Sequence, residues 1–376
     1  MKAEPGAASR SGLGLLARYR RPWFVIGLGL LAVPLTVQLG ERREAVSESE
    51  ARMLGPAPAL PRSLQQWRAL PRELDRFLAD HFGLRAQLIR MHGVLRYAIR
   101  LPTDLRVIIG RDKWLFLNGD GTIEQATGRL LREPAIGKFA DRAADLQQRL
   151  RAKNARFLVA IPPNGSTINR SRLPAWAAAK PAVSEYDLMM KALAARGVAA
   201  VDLRPPLLAA NSIHPTYRRT DTHWNRLGAL VAWDAVVEAL GEGGWAIDPD
   251  RVLRGFKTVP GGDLARLLAV SDDITDEDAD IDLSAYHRPA PSVSSIDTQF
   301  ESGGDLIDTG RAGPTVLVIG DSFTRGFWQD YFSLHAGKYI WMHHELCGFA
   351  VSVVERYRPD VVILAPAERQ MFCFGK

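Results

Sequence analysis

Short apolar runs recur along the sequence from about residue 105 onward, and they restrict the possible folds sharply. Helical periodicity fits four stretches between them, at 134–153, 183–196, 226–240 and 346–357. Strands of a parallel sheet with helices on both faces are apolar throughout their length. The alternation therefore predicts an α/β domain with a mostly parallel sheet covered by helices. The predicted strands lie at 106–109, 114–117, 157–161, 198–203, 315–319, 339–342 and 361–365.

Residues 241–312 interrupt this alternation. They contain the segments GEGG and PGGD and the acidic run SDDITDEDADID, with little periodicity. Such composition predicts an irregular insertion, and a solvated loop is the favoured interpretation of the acidic run.

An uncharged apolar run, WFVIGLGLLAVPLTVQL, occupies residues 23–39. As a helix it would span roughly 25 Å, near the lower limit for a bilayer core. Arg18, Arg20 and Arg21 precede it, which favours a cytoplasmic N-terminus at 1–22. We expect a transmembrane signal anchor at 23–39, so that the chain is a single-pass protein of the bacterial inner membrane with its bulk in the periplasm. The alternatives are a cleaved signal peptide, which would leave a soluble periplasmic protein, and a buried helix.

The rest of the chain divides into a linker and a folded part. Residues 40–63 are polar and then proline-rich, which predicts a periplasmic stalk. Residues 64–376 are expected to form the folded domain, including the insertion at about 241–312.

The net charge of +6 is concentrated at the N-terminus. Residues 1–43 hold seven Lys and Arg against two Glu, so the remaining chain is close to neutral. A nucleic-acid-binding domain usually carries a large cationic excess. Nucleic acid is therefore not an expected partner.

Cys347 and Cys373 are the two cysteines of the chain. An exported protein meets an oxidising compartment, where such a pair can form a disulfide. The sequence does not supply the Cα separation that would decide between a disulfide and two thiols. Two cysteines alone make no zinc site, and we expect neither a metal nor a diffusible cofactor.

The strongest local motif is VIGDSFT, in which the apolar run at 315–319 leads directly into Gly320, Asp321 and Ser322. Ligands of open parallel sheets bind beyond the carboxyl ends of the strands, which is where this turn would place Ser322. Backbone N–H groups of such a turn can stabilise an oxyanion. The motif by itself fits a nucleophilic serine and an ordinary strand-to-loop turn equally well.

A serine nucleophile needs a base, and the segment DTHWN supplies one. Asp221 and His223 are two residues apart, so both side chains can lie on one side of an extended segment. Asp221 would then accept the Nδ1–H bond of His223 and leave Nε2 free for the serine. By itself the pair fits a structural hydrogen bond, but its combination with VIGDSFT predicts a triad of Ser322, His223 and Asp221.

Three other polar residues follow predicted strands and are weaker candidates for contact with substrate or an oxyanion. Asn164 follows the run at 157–161, Arg325 lies three residues after Ser322, and Arg369 follows the last apolar run. A solvent-facing role for Arg325 and an internal ion pair for the Glu368–Arg369 segment are the alternatives.

These motifs make the chain similar to a known family. It resembles the SGNH-hydrolase-like O-acetyltransferases of bacterial exopolysaccharide export, typified by the alginate acetylation proteins AlgJ and AlgX. DTHWN followed by VIGDSFT is the specific part of the resemblance. The wider match includes SESEARMLGPAP, ADHFGLRAQLI, IIGRDKWLF, AIPPN, GGDLARLL and PDVVILAPAER.

The resemblance implies an acetyl-enzyme on Ser322, with His223 as base and Asp221 as its orienter. It also implies a periplasmic role, an exopolysaccharide acceptor and a multi-spanning membrane acyltransferase that supplies acetyl groups. Two other functions stay open: a carbohydrate acetylesterase with the same triad, and a non-catalytic polysaccharide-binding scaffold. The sequence identifies neither the polymer nor the hydroxyl that is acetylated.

Overall fold

The structure is a computed structural model, and it describes residues 24–29, 32–34, 36–37, 46–47, 52–100, 106–286, 291–298, 303–345 and 351–372. The chain separates into two compact units, residues 1–96 and 97–376.

From residue 46 onward, the described part of the first unit contains two short strands and two helices. Strands β1 (Val46–Ser47) and β2 (Arg52–Met53) pair antiparallel. Helix α1 is Leu64–Asp80 and helix α2 is Arg85–Ile99, which continues into the second unit. Ser63 begins α1 with a reciprocal capping box: its hydroxyl accepts the N–H of Gln66, and the Gln66 side chain accepts the N–H of Ser63.

The strands described in the second unit belong to one large sheet and two hairpins. In chain order they are β3 (Val107–Ile109), β4 (Leu115–Leu117), β5 (Arg156–Ala160), β6 (Ala200–Val201), β7 (Leu253–Pro260), β8 (Thr275–Ile281), β9 (Ser292–Ile296), β10 (Gly304–Asp308), β11 (Thr315–Gly320), β12 (Lys338–His343) and β13 (Val361–Ala365).

Most helices of the second unit connect these strands. They are α3 (Thr122–Thr127), α4 (Glu133–Arg151), α5 (Gly165–Ile168), α6 (Glu185–Ala195), α7 (Arg204–Asn211), α8 (Arg226–Ala239), α9 (Pro249–Val252), α10 (Asp263–Leu267), α11 (Trp328–Phe332) and α12 (Val351–Tyr357).

The large sheet has the strand order β6-β5-β13-β11-β12-β10-β9 among the described residues. The first five strands in this order run parallel, whereas β10 is antiparallel to both of its neighbours. The predicted α/β fold with a mostly parallel sheet is thus confirmed. Strand β11 lies at the centre of the sheet, so the residues that follow it emerge at the middle of the carboxyl edge.

Both faces of the sheet are buried at its centre, which explains why central strands such as β11 and β13 are continuously apolar. In β11, Val316 and Val318 face a core that includes residues of α7, α8 and α11. Leu317 and Ile319 face the opposite core, with residues of α4, α6 and α12. Alternation of side chains across a strand sends apolar residues to both layers of helices.

The structure differs from the sequence expectation at two places in the second unit. The runs at 106–109 and 114–117 form the hairpin β3–β4 outside the large sheet. The segment 241–312, expected to be irregular, contains the hairpin β7–β8 and the strands β9 and β10. Half of the residues of β7 and four of the five residues of β9 are exposed, so these strands lack the apolar pattern by which buried strands are recognised.

The prediction of a single-pass inner-membrane anchor at 23–39 is wrong. Within the described part of the chain, no helix combines the length and the apolar character needed to cross a membrane. The 23–39 run is short for a bilayer core of about 30 Å, and Pro34 within it has no backbone N–H to donate to a helical hydrogen bond. The Cys347–Cys373 pair lies outside the described residues.

Gly228, in the first turn of α8, provides a test of the packing around the candidate site. A Cβ atom on Gly228 would lie 2.2 Å from the carbonyl oxygen of Thr216 and 2.9 Å from the Cβ of Trp224. Alanine favours helices over glycine by about 1 kcal/mol, but a clash with backbone cannot relax easily. We expect Gly228→Ala to lower the free energy of unfolding by about 1–3 kcal/mol in a denaturant titration.

Gly244→Ala is the matched control, because a Cβ there meets no atom within 4 Å. This variant should stay within about 0.5 kcal/mol of the wild type. Equal stabilities for the two variants would contradict the close packing of α8 on Thr216.

Candidate active site

The carboxyl edge of the large sheet brings together several of the polar residues predicted from the sequence. Ser322 follows β11, Asn164 follows β5 and Arg369 follows β13. Since these three strands are parallel neighbours, their ends meet at one edge.

The turn after β11 is held by Asp321, which is buried. Its Oδ1 accepts the N–H of Phe323 at 2.9 Å, and its Oδ2 accepts the N–H of Ala367 at 2.7 Å. A side chain at Gly320 would place its Cβ 2.3 Å from the Thr324 hydroxyl, so only glycine fits the start of the turn. This arrangement leaves Ser322 exposed at the sheet edge.

The N–H groups that follow the serine are used inside the turn. The N–H groups of Phe323, Thr324 and Arg325 all donate to oxygens of Asp321. We therefore infer that any oxyanion donor from this turn is the N–H of Ser322 itself, rather than the amides after it.

His223 lies between Ser322 and Asp221. Its Nε2 is 2.8 Å from the Ser322 hydroxyl oxygen, and its Nδ1 is 2.7 Å from Asp221 Oδ1. Asp221 Oδ1 also accepts the backbone N–H of His223 at 3.0 Å, which fixes the carboxylate beside the ring. The three predicted residues are thus within hydrogen-bonding distance in the order that proton transfer from the serine requires.

Two segments 99 residues apart are locked together to produce this geometry. The indole N–H of Trp224 donates to the carbonyl oxygen of Phe323 at 2.9 Å, next to Ser322. The Trp224 and Phe323 rings meet edge to face at 5.3 Å, and the Phe323 ring is 4.9 Å from the His223 ring. Asn225 caps α8 by accepting the N–H of Gly228, which anchors the segment on its other side.

The electrostatics around Asp221 favour its ionised form. Burial alone would raise the pKa of Asp221. Hydrogen bonds and charge from His223, together with the charge of Arg218, outweigh burial and hold that pKa well below its usual range. Arg218 Nη1 lies 3.4 Å from Asp221 Oδ2. The carboxylate is therefore charged throughout the physiological range and can stabilise a protonated His223 ring.

A second carboxylate, Asp263, lies on the same side of His223 and was not predicted from the sequence. Asp263 Oδ2 is 3.6 Å from His223 Nδ1. It belongs to the PGGD segment at the start of α10, which looked like part of an irregular loop. A Cβ on Gly262 would lie 2.4 Å from Asp221 Oδ2, so this glycine lets the segment approach Asp221 closely. In the sequence, the GGD segment is the feature that could have indicated this close approach.

The donor atoms of Asp221, His223 and Asp263 lie within 4.8 Å of one another, a spacing that a metal ion could use. His223 Nδ1 is at hydrogen-bonding distance from Asp221, so it is engaged in the contact that orients the ring. The arrangement suits proton transfer, in which Nδ1 keeps its proton and Nε2 exchanges one with the serine.

The three weaker candidates have different surroundings. Asn164 is buried, and its side-chain N–H₂ lies 3.3 Å from the side-chain oxygen of Gln125. Arg369 is 9% exposed and lies over the Phe323 ring at 5.2 Å. Asn164 and Arg369 line one small cleft together with Asp221. Arg325 instead pairs with Asp305 at 3.1 Å and covers Trp341, so its charge is used on the sheet surface.

Glu368, next to Arg369, is a buried carboxyl group at this edge. Its Oε2 accepts the N–H of Asn164 and the hydroxyl of Thr167, both at 2.7 Å. Burial raises the pKa of Glu368 despite these bonds. Glu368 therefore ties the ends of β5 and β13 together rather than facing solvent.

Comparisons with known proteins agree with this fold. Residues 107–335, more than half of the chain, match the family described as ALGX, SGNH hydrolase-like domain, acetyltransferase AlgX. No curated protein matches the chain at a significant level.

Several solved structures are similar. PatB1 of Bacillus cereus with a sulfonyl adduct is 14% identical, with a TM-score of 0.50, 71% of this chain covered and 95% of that chain. The O-acetyltransferase domain of Pseudomonas putida AlgJ is 19% identical, with a TM-score of 0.46 and coverages of 70% and 91%. Pseudomonas aeruginosa AlgX is 15% identical, with a TM-score of 0.41 and coverages of 69% and 61%. At these identities the likeness concerns the fold alone.

The family match covers both DTHWN and VIGDSFT, the two segments that meet at the sheet edge. The resemblance inferred from those motifs is thereby confirmed, and the chain belongs to the AlgJ/AlgX-type family of SGNH-like O-acetyltransferases.

Proposed function

We propose that this protein is a periplasmic O-acetyltransferase that transfers acetyl groups to an exopolysaccharide through an acetyl-enzyme on Ser322. The observation that carries the proposal is the 2.8 Å contact between His223 Nε2 and the Ser322 hydroxyl, with Asp221 behind the ring. Membership of an acetyltransferase family supplies the group that is transferred.

In the first half-reaction the Ser322 oxygen attacks the carbonyl carbon of an acetyl donor. His223 Nε2 takes the hydroxyl proton as the oxygen–carbon bond forms, and Asp221 stabilises the resulting imidazolium. When the tetrahedral intermediate collapses, the bond to the donor's leaving oxygen breaks and His223 returns the proton to that oxygen. The products are acetyl-Ser322 and the deacetylated donor.

In the second half-reaction a sugar hydroxyl occupies the place that the donor has left. His223 accepts the proton of this hydroxyl, whose oxygen attacks the acetyl carbon. The bond to Ser322 then breaks, and the serine oxygen takes the proton back from His223. We propose that residues lining the cleft beside Asp221 contact the acceptor or the donor. Asn164 and Arg369 are two of these residues.

The partners follow from the same proposal. The acetyl donor in the cell is proposed to be a multi-spanning membrane acyltransferase, and the acceptor an exopolysaccharide. The periplasmic location is supported by the basic residues Arg18, Arg20 and Arg21 before the apolar run at 23–39, a pattern typical of exported chains.

The partition of the acetyl-enzyme between sugar and water tests this function. Residues 97–376 form a compact unit, but the test uses the full chain, supplied with an activated acetyl ester and with oligosaccharides of several polymer types. We expect acetylated sugar to appear, and free acetate to fall as the acceptor concentration rises. Acetate release unaffected by every acceptor would favour the acetylesterase. Sugar binding without any ester turnover would favour the scaffold.

A further inference from the structure

We propose that Asp263 is a positioning residue for His223, acting through the hydroxyl of Thr222. The inference rests on the proposed function, because it assigns Asp263 to the same proton transfer. Its basis is a set of contacts between the GGD segment at 261–263 and the Asp221–His223 segment, two regions about 40 residues apart.

Asp263 binds both polar groups of Thr222. Its Oδ1 accepts the backbone N–H of Thr222 at 2.7 Å, and its Oδ2 accepts the Thr222 hydroxyl at 2.5 Å. Two bonds from one carboxylate to one residue fix both the backbone of the segment and the rotation of the hydroxyl.

The fixed hydroxyl faces the His223 ring. Thr222 Oγ1 lies 3.2 Å from His223 Nδ1. Because the hydroxyl hydrogen points to Asp263, the oxygen presents a lone pair to Nδ1, and that lone pair can only accept. The Nδ1–H group thus faces two acceptors, Asp221 Oδ1 at 2.7 Å and Thr222 Oγ1. Both favour the tautomer with the proton on Nδ1, which leaves Nε2 to accept from Ser322.

Asp263 also touches Asp221 directly. Its backbone N–H donates to Asp221 Oδ2 at 3.2 Å, and Gly262 permits this approach. The segment is held in place by Thr220, whose hydroxyl oxygen accepts the N–H of Gly262 at 2.9 Å. Thr220 is bound in turn by Asp276 of β8, through both its N–H and its hydroxyl.

The charges on this side of His223 suit a transiently protonated ring. The groups are Asp221, Asp263 and, beyond Asp221, Arg218. Burial and the nearby charge of Asp221 raise the pKa of Asp263. A proton on His223 therefore meets two carboxyl groups, of which one is firmly ionised.

The test measures nucleophile activation without any sugar. A sulfonyl fluoride reacts with an activated serine: the oxygen–sulfur bond forms, fluoride leaves and the base takes the proton. The rate of adduct formation on Ser322 is followed by intact mass for the full chain. We expect Asp263→Asn to slow this reaction about 10- to 100-fold, the range typical of groups that orient a functional side chain from behind.

Two comparisons separate positioning from a purely structural role. Thr222→Val should slow adduct formation, whereas Thr222→Ser, which keeps the hydroxyl, should react at the wild-type rate. Both variants should melt at the wild-type temperature. Asp221→Ala combined with Asp263→Asn should be within about threefold of Asp221→Ala alone, because residues that act as one unit are not additive. Asp280→Asn, which removes an exposed pair with Lys257, is the matched control and should react like the wild type.

An adduct rate for Asp263→Asn within threefold of the wild type would overturn the proposal, as would losses that multiply in the double variant. If Asp263→Asn does not fold, Thr222→Val decides: an unchanged rate would overturn the proposal. Absence of an adduct in the wild-type protein would instead refute the proposed function itself, so the two failures are distinguishable.

Discussion

Ser322→Ala is expected to abolish acetyl transfer, with a loss of about 10⁴- to 10⁶-fold in turnover of an activated acetyl ester. Alanine removes the oxygen that would carry the acetyl group and that faces His223 Nε2. Ser322 is exposed, so the substitution should leave the melting temperature unchanged. The measurement is initial rate against enzyme concentration, which must be high enough to follow residual activity.

Ser212→Ala is the control for this experiment. Ser212 is exposed, and its hydroxyl donates within its own turn to the carbonyl oxygen of Ala209. It should retain wild-type turnover. If Ser322→Ala kept more than a hundredth of the wild-type rate, the serine acetyl-enzyme would be refuted.

His223→Ala should reduce turnover by a similar factor, about 10⁴- to 10⁶-fold. The serine would lose its base, and the Asp221 carboxylate would be left buried without the ring it orients. Because Ser322 and His223 would act as one unit, the double variant Ser322→Ala/His223→Ala should be no slower than either single variant. Turnover of all three proteins at one pH gives the comparison.

His214→Ala is the matched histidine control, since His214 is exposed and contacts the Phe256 ring at 5.4 Å. It should behave as the wild type does. Multiplying losses for the Ser322 and His223 substitutions would mean that the two residues contribute independently and would contradict their pairing in one proton transfer.

The buried strands of the sheet could be predicted well from the sequence, but its exposed edge strand could not. Strands such as β11 and β13 lie between two layers of helices, so each residue along them is apolar and the pattern is unmistakable. Strand β9 lies at the edge of the sheet, and four of its five residues are exposed. An edge strand of this kind has no periodicity that separates it from a loop.

The candidate site likewise contains residues that could be predicted from the sequence and one that could not. Ser322, His223 and Asp221 were predicted because their chemistry is local: a serine after a buried strand, and a histidine two residues from an acid. Asp263 was missed because its role depends on a long-range approach of backbone to Asp221, permitted by Gly262. The sequence contains four Gly-Asp pairs, and no spacing indicates which of them makes such an approach.

The membrane anchor was wrongly predicted for a comparable reason. Hydropathy at 23–39 is high, but hydropathy alone does not measure whether these residues form one helix long enough to cross a membrane. Among the weaker candidates, Arg325 and Arg369 looked alike in sequence. Their neighbours differ: Arg325 meets Asp305, whereas Arg369 lines the cleft beside Asp221.

Detection of the acetyl-enzyme is the most direct test of Ser322 as the residue that carries the acetyl group. The full chain is mixed with an activated acetyl ester without acceptor, quenched in acid within seconds and analysed by intact mass and peptide mapping. We expect one added acetyl group, located on Ser322, which disappears when a suitable oligosaccharide is added before the quench. An acetyl group found on another residue, or turnover that proceeds with no acetylated protein in the wild type and undiminished in Ser322→Ala, would contradict this role of Ser322.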